Sequence, residues 1–122
     1  MNYLVFSSDK ELLRLRCDKI IYVASDGNYS TIFMADGDKR VVTIQLGQIE
    51  RLMGEQLGKD GECFIRIGRT LIINQDFIYY INPVRQQLVL SDSQNFTHTL
   101  SASREALRAV KEYLEGKLPA IG

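Results

Sequence analysis

The residues in this chain best suited to chemistry are arginines set among apolar and β-branched neighbours. The run Phe-Ile-Arg-Ile-Gly-Arg-Thr-Leu-Ile-Ile-Asn, residues 64–74, carries Arg66 and Arg69. As one unbroken strand it would put Ile65, Ile67, Arg69, Leu71 and Ile73 on a single face, with a charge in the middle of an apolar row. Gly68 relieves the conflict, because glycine lets an extended chain bend or bulge. The segment therefore reads as two strands with Gly68, Arg69 and Thr70 at a tight turn, Arg69 exposed and Arg66 nearby. An exposed guanidinium can fork onto a phosphate or onto the edge of a guanine. The plainer use of the pair is a salt bridge for one arginine and a solvated tip for the other.

Two further stretches carry suitable polar groups. Ser25, Asp26, Gly27, Asn28, Tyr29 and Ser30 join two apolar runs and display an amide, a phenol and hydroxyls. Ser101, Ala102, Ser103 and Arg104 present a helix N-terminus with an arginine, and free amides at such an end suit a phosphate. Taken singly, each is an ordinary turn or cap. Asn28 can satisfy its own turn, and Tyr29 can pack its ring at a strand end.

Catalytic and metal chemistry find little support. His98, the single histidine, lies among Phe96, Thr97, Thr99 and Leu100 in an expected strand, with no second His or Cys at ligand spacing. The serines lack a nucleophile-elbow context, and neither a dinucleotide fingerprint nor a phosphate loop occurs. Asp36 and Asp38 flank Gly37, but the calcium-loop pattern does not continue, so they read as a hairpin turn. No cofactor and no metal site is expected.

The 122 residues are one domain's worth of chain, enough to bury one core. Hydrophobic residues make up 45% and charged residues 25%, ordinary values for a globular protein. Fifteen basic residues balance fifteen acidic ones, which excludes a polybasic tail. Binding to nucleic acid depends on where charge sits, and between Cys63 and Arg104 it is positive by two: Arg66, Arg69, Arg85 and Arg104 against Asp76 and Asp92. No apolar run is long enough to span a membrane, and the first residues do not form a typical signal peptide. Cys17 and Cys63, the two cysteines, cannot build a disulfide scaffold or a four-thiolate metal site. Each alternates with apolar residues, so both read as buried reduced thiols of a cytoplasmic protein.

The elements that hold these residues follow from periodicity. Period two dominates the first 44 residues, with strands expected at 3–6, 11–16, 19–24, 29–34 and 40–44. Asp26 with Gly27, and Asp36 to Asp38, mark turns, the second closing a hairpin. At Gln45 the period changes, and Leu46, Ile49, Leu52, Met53 and Leu57 fall at helical spacing. Thr43 is the expected cap of this helix and Gly58 its stop. Strands return at 64–67, 71–73, 77–81, 87–90 and 96–100. A last helix begins near Ser101 or Ser103, carries Leu107, Val110 and Leu114 on one stripe, and ends at Gly116 and Pro119, leaving Ile121 in a frayed tail. The expected fold is mainly β: eight to ten short, mostly antiparallel strands in small sheets with two short helices, in a single domain over residues 1–122.

In combination, residues 20–29 (Ile-Ile-Tyr-Val-Ala-Ser-Asp-Gly-Asn-Tyr), residues 64–74, and Ser103 with Arg104 resemble a LytTR-type DNA-binding domain, a module of bacterial response regulators. The likeness covers about residues 7–115, with the helix at 45–57 lying between the first two motifs. The resemblance implies an elongated fold of about ten strands that binds double-stranded DNA through loops laid in successive major grooves, typically at direct-repeat promoter sites, with a homodimer on DNA as a further implication. It implies one contact from the loop at 26–30 (Asn28, Tyr29, Ser30), a second from the turn at 68–70 through Arg69, and a third from Ser103 and Arg104. Arg66 and Thr70 match the motif, while Gly68 and Asn74 support the turn. The family motif usually has His where this chain has Gly68, and Ser where it has Thr70. A chain of this extent, with no room for a receiver domain ahead of the module, is expected not to be switched by phosphorylation within itself.

The expected function is sequence-specific DNA binding that regulates transcription, with Arg69, Arg104 and the Asn28 and Tyr29 loop pointing one way. The alternative is a non-catalytic protein-interaction module of the same fold with weak or no DNA binding, favoured by the balanced charge. An enzyme would need converging titratable groups, and none can be assembled.

Overall fold

Ten strands form in this computed structural model, which describes residues 2–118; some alternate inward and outward side chains, and others, such as residues 71–74, are buried throughout. Pro119 and Ile121, read above as helix stop and tail, lie outside the described residues. The chain divides into two compact units after Phe77.

In the first unit, β1 (Tyr3–Ser7) and β2 (Leu12–Arg16) form an antiparallel ribbon. The strands β3 (Ile20–Asp26), β4 (Tyr29–Met34), β5 (Lys39–Val42), β6 (Phe64–Ile67) and β7 (Leu71–Asn74) form an antiparallel sheet in the order β5-β4-β3-β7-β6. Every connection is a hairpin or a short turn except β5 to β6, which passes through α1 (Leu46–Leu57). The apolar stripe of α1, Leu46, Ile49, Met53 and Leu57, is buried in one cluster with Leu4, Ile20, Val23, Ile32 and Ile72. Each such side chain contributes about 1.5–3 kcal/mol by leaving water, so the sheet and helix hold each other. Gln56 adds a polar fastening. Its Oε1 accepts the Val5 amide proton at 2.8 Å and its Nε2 donates to the Val5 carbonyl at 3.0 Å, giving β1 the bonds a third strand would supply.

The helix boundary differs from the sequence reading. Gln45, not Thr43, occupies the N-cap position, and no side chain caps the helix. Strand β5 ends at Val42 rather than Ile44. Gly58 does terminate α1, with φ +55. Cys17 is buried in a single 3-10 turn after β2, but Cys63 is only half-buried ahead of β6. Its Sγ donates to the Asp60 carbonyl at 3.4 Å, and burial pushes its pKa up to about 11. Both are free thiols.

In the second unit, β8 (Ile78–Asn82), β9 (Gln87–Ser91) and β10 (Thr97–Ser101) form an antiparallel sheet in the order β10-β9-β8, and α2 (Arg104–Glu115) lies against β8. Leu88 and Leu90 of β9 and Leu107 and Val110 of α2 are buried. Ser103 caps α2: its Oγ accepts the Ala106 amide proton at 3.2 Å, which decides between the two serines.

Candidate nucleic-acid interface

The apolar row of residues 65–73 does break at Gly68. Ile67 and Leu71 are the last paired residues of the β6–β7 hairpin, and Gly68, Arg69 and Thr70 form its exposed turn. Gly68 has φ +60, and a Cβ there would meet nothing within 4 Å, so glycine is required by the backbone and not by crowding. The arginines divide their roles. Arg66 donates from Nε to the Gly68 carbonyl at 2.9 Å and from Nη1 to Glu50 Oε1 at 3.0 Å, tying the turn to the first part of α1. A partly exposed bridge of this kind is worth about 0–1 kcal/mol, enough to bias the turn's geometry but little of the overall stability. Among the described residues nothing pairs with the Arg69 guanidinium, which stands in solvent at the tip.

The β3–β4 hairpin ends beside this turn. Asp26 pairs with Tyr29, and Asn28 and Tyr29 are exposed, Tyr29 by 55%. The Ser25 amide donates to the Thr70 carbonyl at 2.8 Å, and Ala24 is in register with Leu71 on the neighbouring strand. Both tips therefore leave the same end of one sheet. Gln45, just ahead of α1, donates from Nε2 to Asn28 Oδ1 at 3.3 Å, so the entry to the helix adjoins the same end.

Two candidate residues sit differently from their sequence reading. Ser30 was expected on display, yet it is fully buried and its Oγ donates to the Ile44 carbonyl at 2.6 Å. It falls in phase with Ile32 and Met34 on the inward face of β4, a period-two signal visible in the sequence. Asn74 is 1% exposed and structural, but it works at the opposite end of β7 from the turn. Its Nδ2 donates to the Ile20 carbonyl at 3.0 Å and its Oδ1 accepts the Asp76 amide proton at 3.0 Å.

Ser103 and Arg104 belong to the second unit. Both are exposed, Ser103 as cap and Arg104 as the first helical residue, and no described residue pairs with the Arg104 guanidinium. Sequence reasoning missed Gln45 and Glu50, the supports of Asn28 and Arg66, because each partner is more than a dozen residues away along the chain. His98 lies on β10 with its ring centroid 5.8 Å from that of Phe96. Among the described residues no three His, Cys, Asp or Glu side chains converge as metal ligands, and no helix is long and apolar enough to cross a membrane.

A family model described as the LytTr DNA-binding domain matches residues 10–115. No match to a curated protein was found. Among solved structures, a LytTr DNA-binding domain from Bacillus cereus aligns over 93% of this chain and 97% of its own, with a TM-score of 0.63 and 18% sequence identity. That likeness is one of fold.

Proposed function

The chain belongs to the LytTR family of DNA-binding domains, and on that footing we propose that it recognises specific duplex sites by loops placed in the major groove, with Arg69 as the principal base reader. Domains of this family bind DNA to regulate transcription and are not catalytic. The observation that carries the finer reading is the division between the two arginines of one hairpin: Arg66 is committed to Gly68 and Glu50, while Arg69 is presented without a partner on a turn fixed by that commitment. A free guanidinium carried on a held turn can offer two parallel donors to guanine O6 and N7, worth about 1–3 kcal/mol of discrimination.

Asn28 and Tyr29, at the same end of the sheet as Arg69, and the Thr70 hydroxyl set its register on the backbone, while Ser103 and Arg104 supply a separate contact. Two copies on direct repeats would double the contact set, and the site of action is cytoplasmic. With fifteen charges of each sign, the domain gains little from long-range attraction, so affinity rests on these local contacts. Selection from a pool of random duplexes tests the reading. The expected outcome is enrichment of a motif present as direct repeats. Failure to enrich any sequence, together with capture of a protein partner, would instead support the interaction module that the balanced charge favours.

A further inference from the structure

We propose that Arg85 of the β8–β9 turn and Arg108 of α2 grip the phosphate backbone of duplex DNA next to Ser103 and Arg104; this rests on the reading of the chain as a duplex binder. The turn has a defined shape. Asn82 Oδ1 accepts the Arg85 amide proton at 3.1 Å, the Gln86 amide donates to the Pro83 carbonyl at 3.1 Å, and Gln86 takes a φ of +55. The turn is also tied to the entry of α2. Gln87 is in register with Ser101, and the Ala102 amide donates to the Gln86 carbonyl at 3.4 Å, one residue ahead of the Ser103 cap.

A shallow hollow flanks the turn on each side. One, of about 310 Å³, is lined by Arg85, Gln86, Thr99 and Ser101. The other, of about 300 Å³, lies between Pro83 and Val84 of the turn and Arg108 and Lys111 of α2. Arg108 stands one helical turn beyond Arg104, on the same side of α2.

Charge decides what these surfaces fit. Arg85, Arg104 and Arg108 are exposed, and among the described residues none has an ion pair or a side-chain hydrogen bond. Lys111, by contrast, is committed to Glu115 at 3.1 Å. Glu112 and Glu115 line the second hollow together with Arg108 and Lys111, and Glu105 is the single acidic residue in the first turn of α2. Arg85, Arg104 and Arg108 against Glu105 leave a positive excess of two around the turn and the N-terminal end of α2, where the helix dipole has the same sign. Three cations around a shaped turn, over open hollows with no deep cleft, suit a line of phosphates better than a single base edge.

Phosphate contacts add affinity regardless of sequence and appear in the salt dependence. The test is anisotropy of a fluorescent duplex of randomised sequence, titrated with the full chain between about 50 and 200 mM salt. Arg85→Ala and Arg108→Ala should each flatten the plot of log affinity against log salt by about 0.9. The pair of charge-keeping variants, Arg85→Lys and Arg108→Lys, should retain the wild-type slope. Equal slopes for wild type and both alanine variants would overturn this inference and leave the DNA-binding reading standing. No binding by wild type at any salt in that range would overturn both.

Discussion

The Ser25 amide donates its proton to the Thr70 carbonyl at 2.8 Å, joining the tip of the β3–β4 hairpin to the turn that carries Arg69. Residues 28 and 69, far apart in sequence, thereby share one end of one sheet. The β3–β7 ladder continues below this bond through Ala24 with Leu71 and Val23 with Ile72. The two tips are thus extensions of one paired sheet and not a pair of independent loops.

Gly68 sets the direction in which Arg69 leaves that sheet. Replacing it with alanine adds no clash, since nothing lies within 4 Å of a Cβ there, but φ +60 is a conformation that L-residues disfavour. Gly68→Ala should cost about 1–2 kcal/mol of stability, read as a lower midpoint in urea unfolding. Gly68→Asn should cost less, because asparagine tolerates this region better. Equal midpoints for wild type and Gly68→Ala would contradict the assigned turn.

Ser30 separates packing from contact. Ser30→Ala removes the donor to the Ile44 carbonyl and should lower stability by about 1–3 kcal/mol, while leaving Asn28, Tyr29 and Arg69 in place. Affinity for DNA, measured where the variant is fully folded, should match wild type. A selective loss of affinity with unchanged stability would make Ser30 a contact residue after all.

The strands and both helices were legible because their side chains alternate or recur with a regular period. Even the hairpin at Gly68 was legible, since the alternative placed Arg69 in the row of Ile67 and Leu71. What the sequence hid were pairings across the fold. Gln56 binds Val5 across 51 residues, Arg66 meets Glu50 across 16, and Asn74 reaches Ile20 across 54; no local pattern encodes such partners. Thr43 failed as a cap for a different reason: α1 begins after Gln45, too far along for the Thr43 hydroxyl to reach its first amides. Ser30 shows the limit of residue type as a guide: its hydroxyl suits a surface loop, but its phase with Ile32 and Met34 puts it inside.

Asp92 should make the β9–β10 loop pH-sensitive. Its Oδ1 accepts the amide protons of Gln94, Asn95 and Phe96 at 3.0, 2.7 and 3.1 Å. These backbone bonds, with that from Gln94 the largest influence, lower its pKa from 3.8 to about 2. A carboxyl whose pKa is depressed by folding stabilises fully above its unfolded value and loses that contribution as pH falls through the folded one. The loop should therefore loosen as pH drops from about 4 to about 2. The amide resonances of residues 94–96 should titrate with a midpoint near 2, and Asp92→Asn should abolish that titration. A midpoint near the ordinary value of 3.8 would show that the loop does not hold the carboxylate in this way.

The most direct measurement compares wild type, Arg69→Lys and Arg69→Ala in parallel selections from one random duplex pool, followed by affinity measurements on the wild-type motif. Loss of a bidentate guanine contact should weaken binding to that motif by about 1–3 kcal/mol and relax preference at one position of it. Lysine should recover charge but not discrimination. An identical motif and equal affinity for all three proteins would contradict base reading by Arg69.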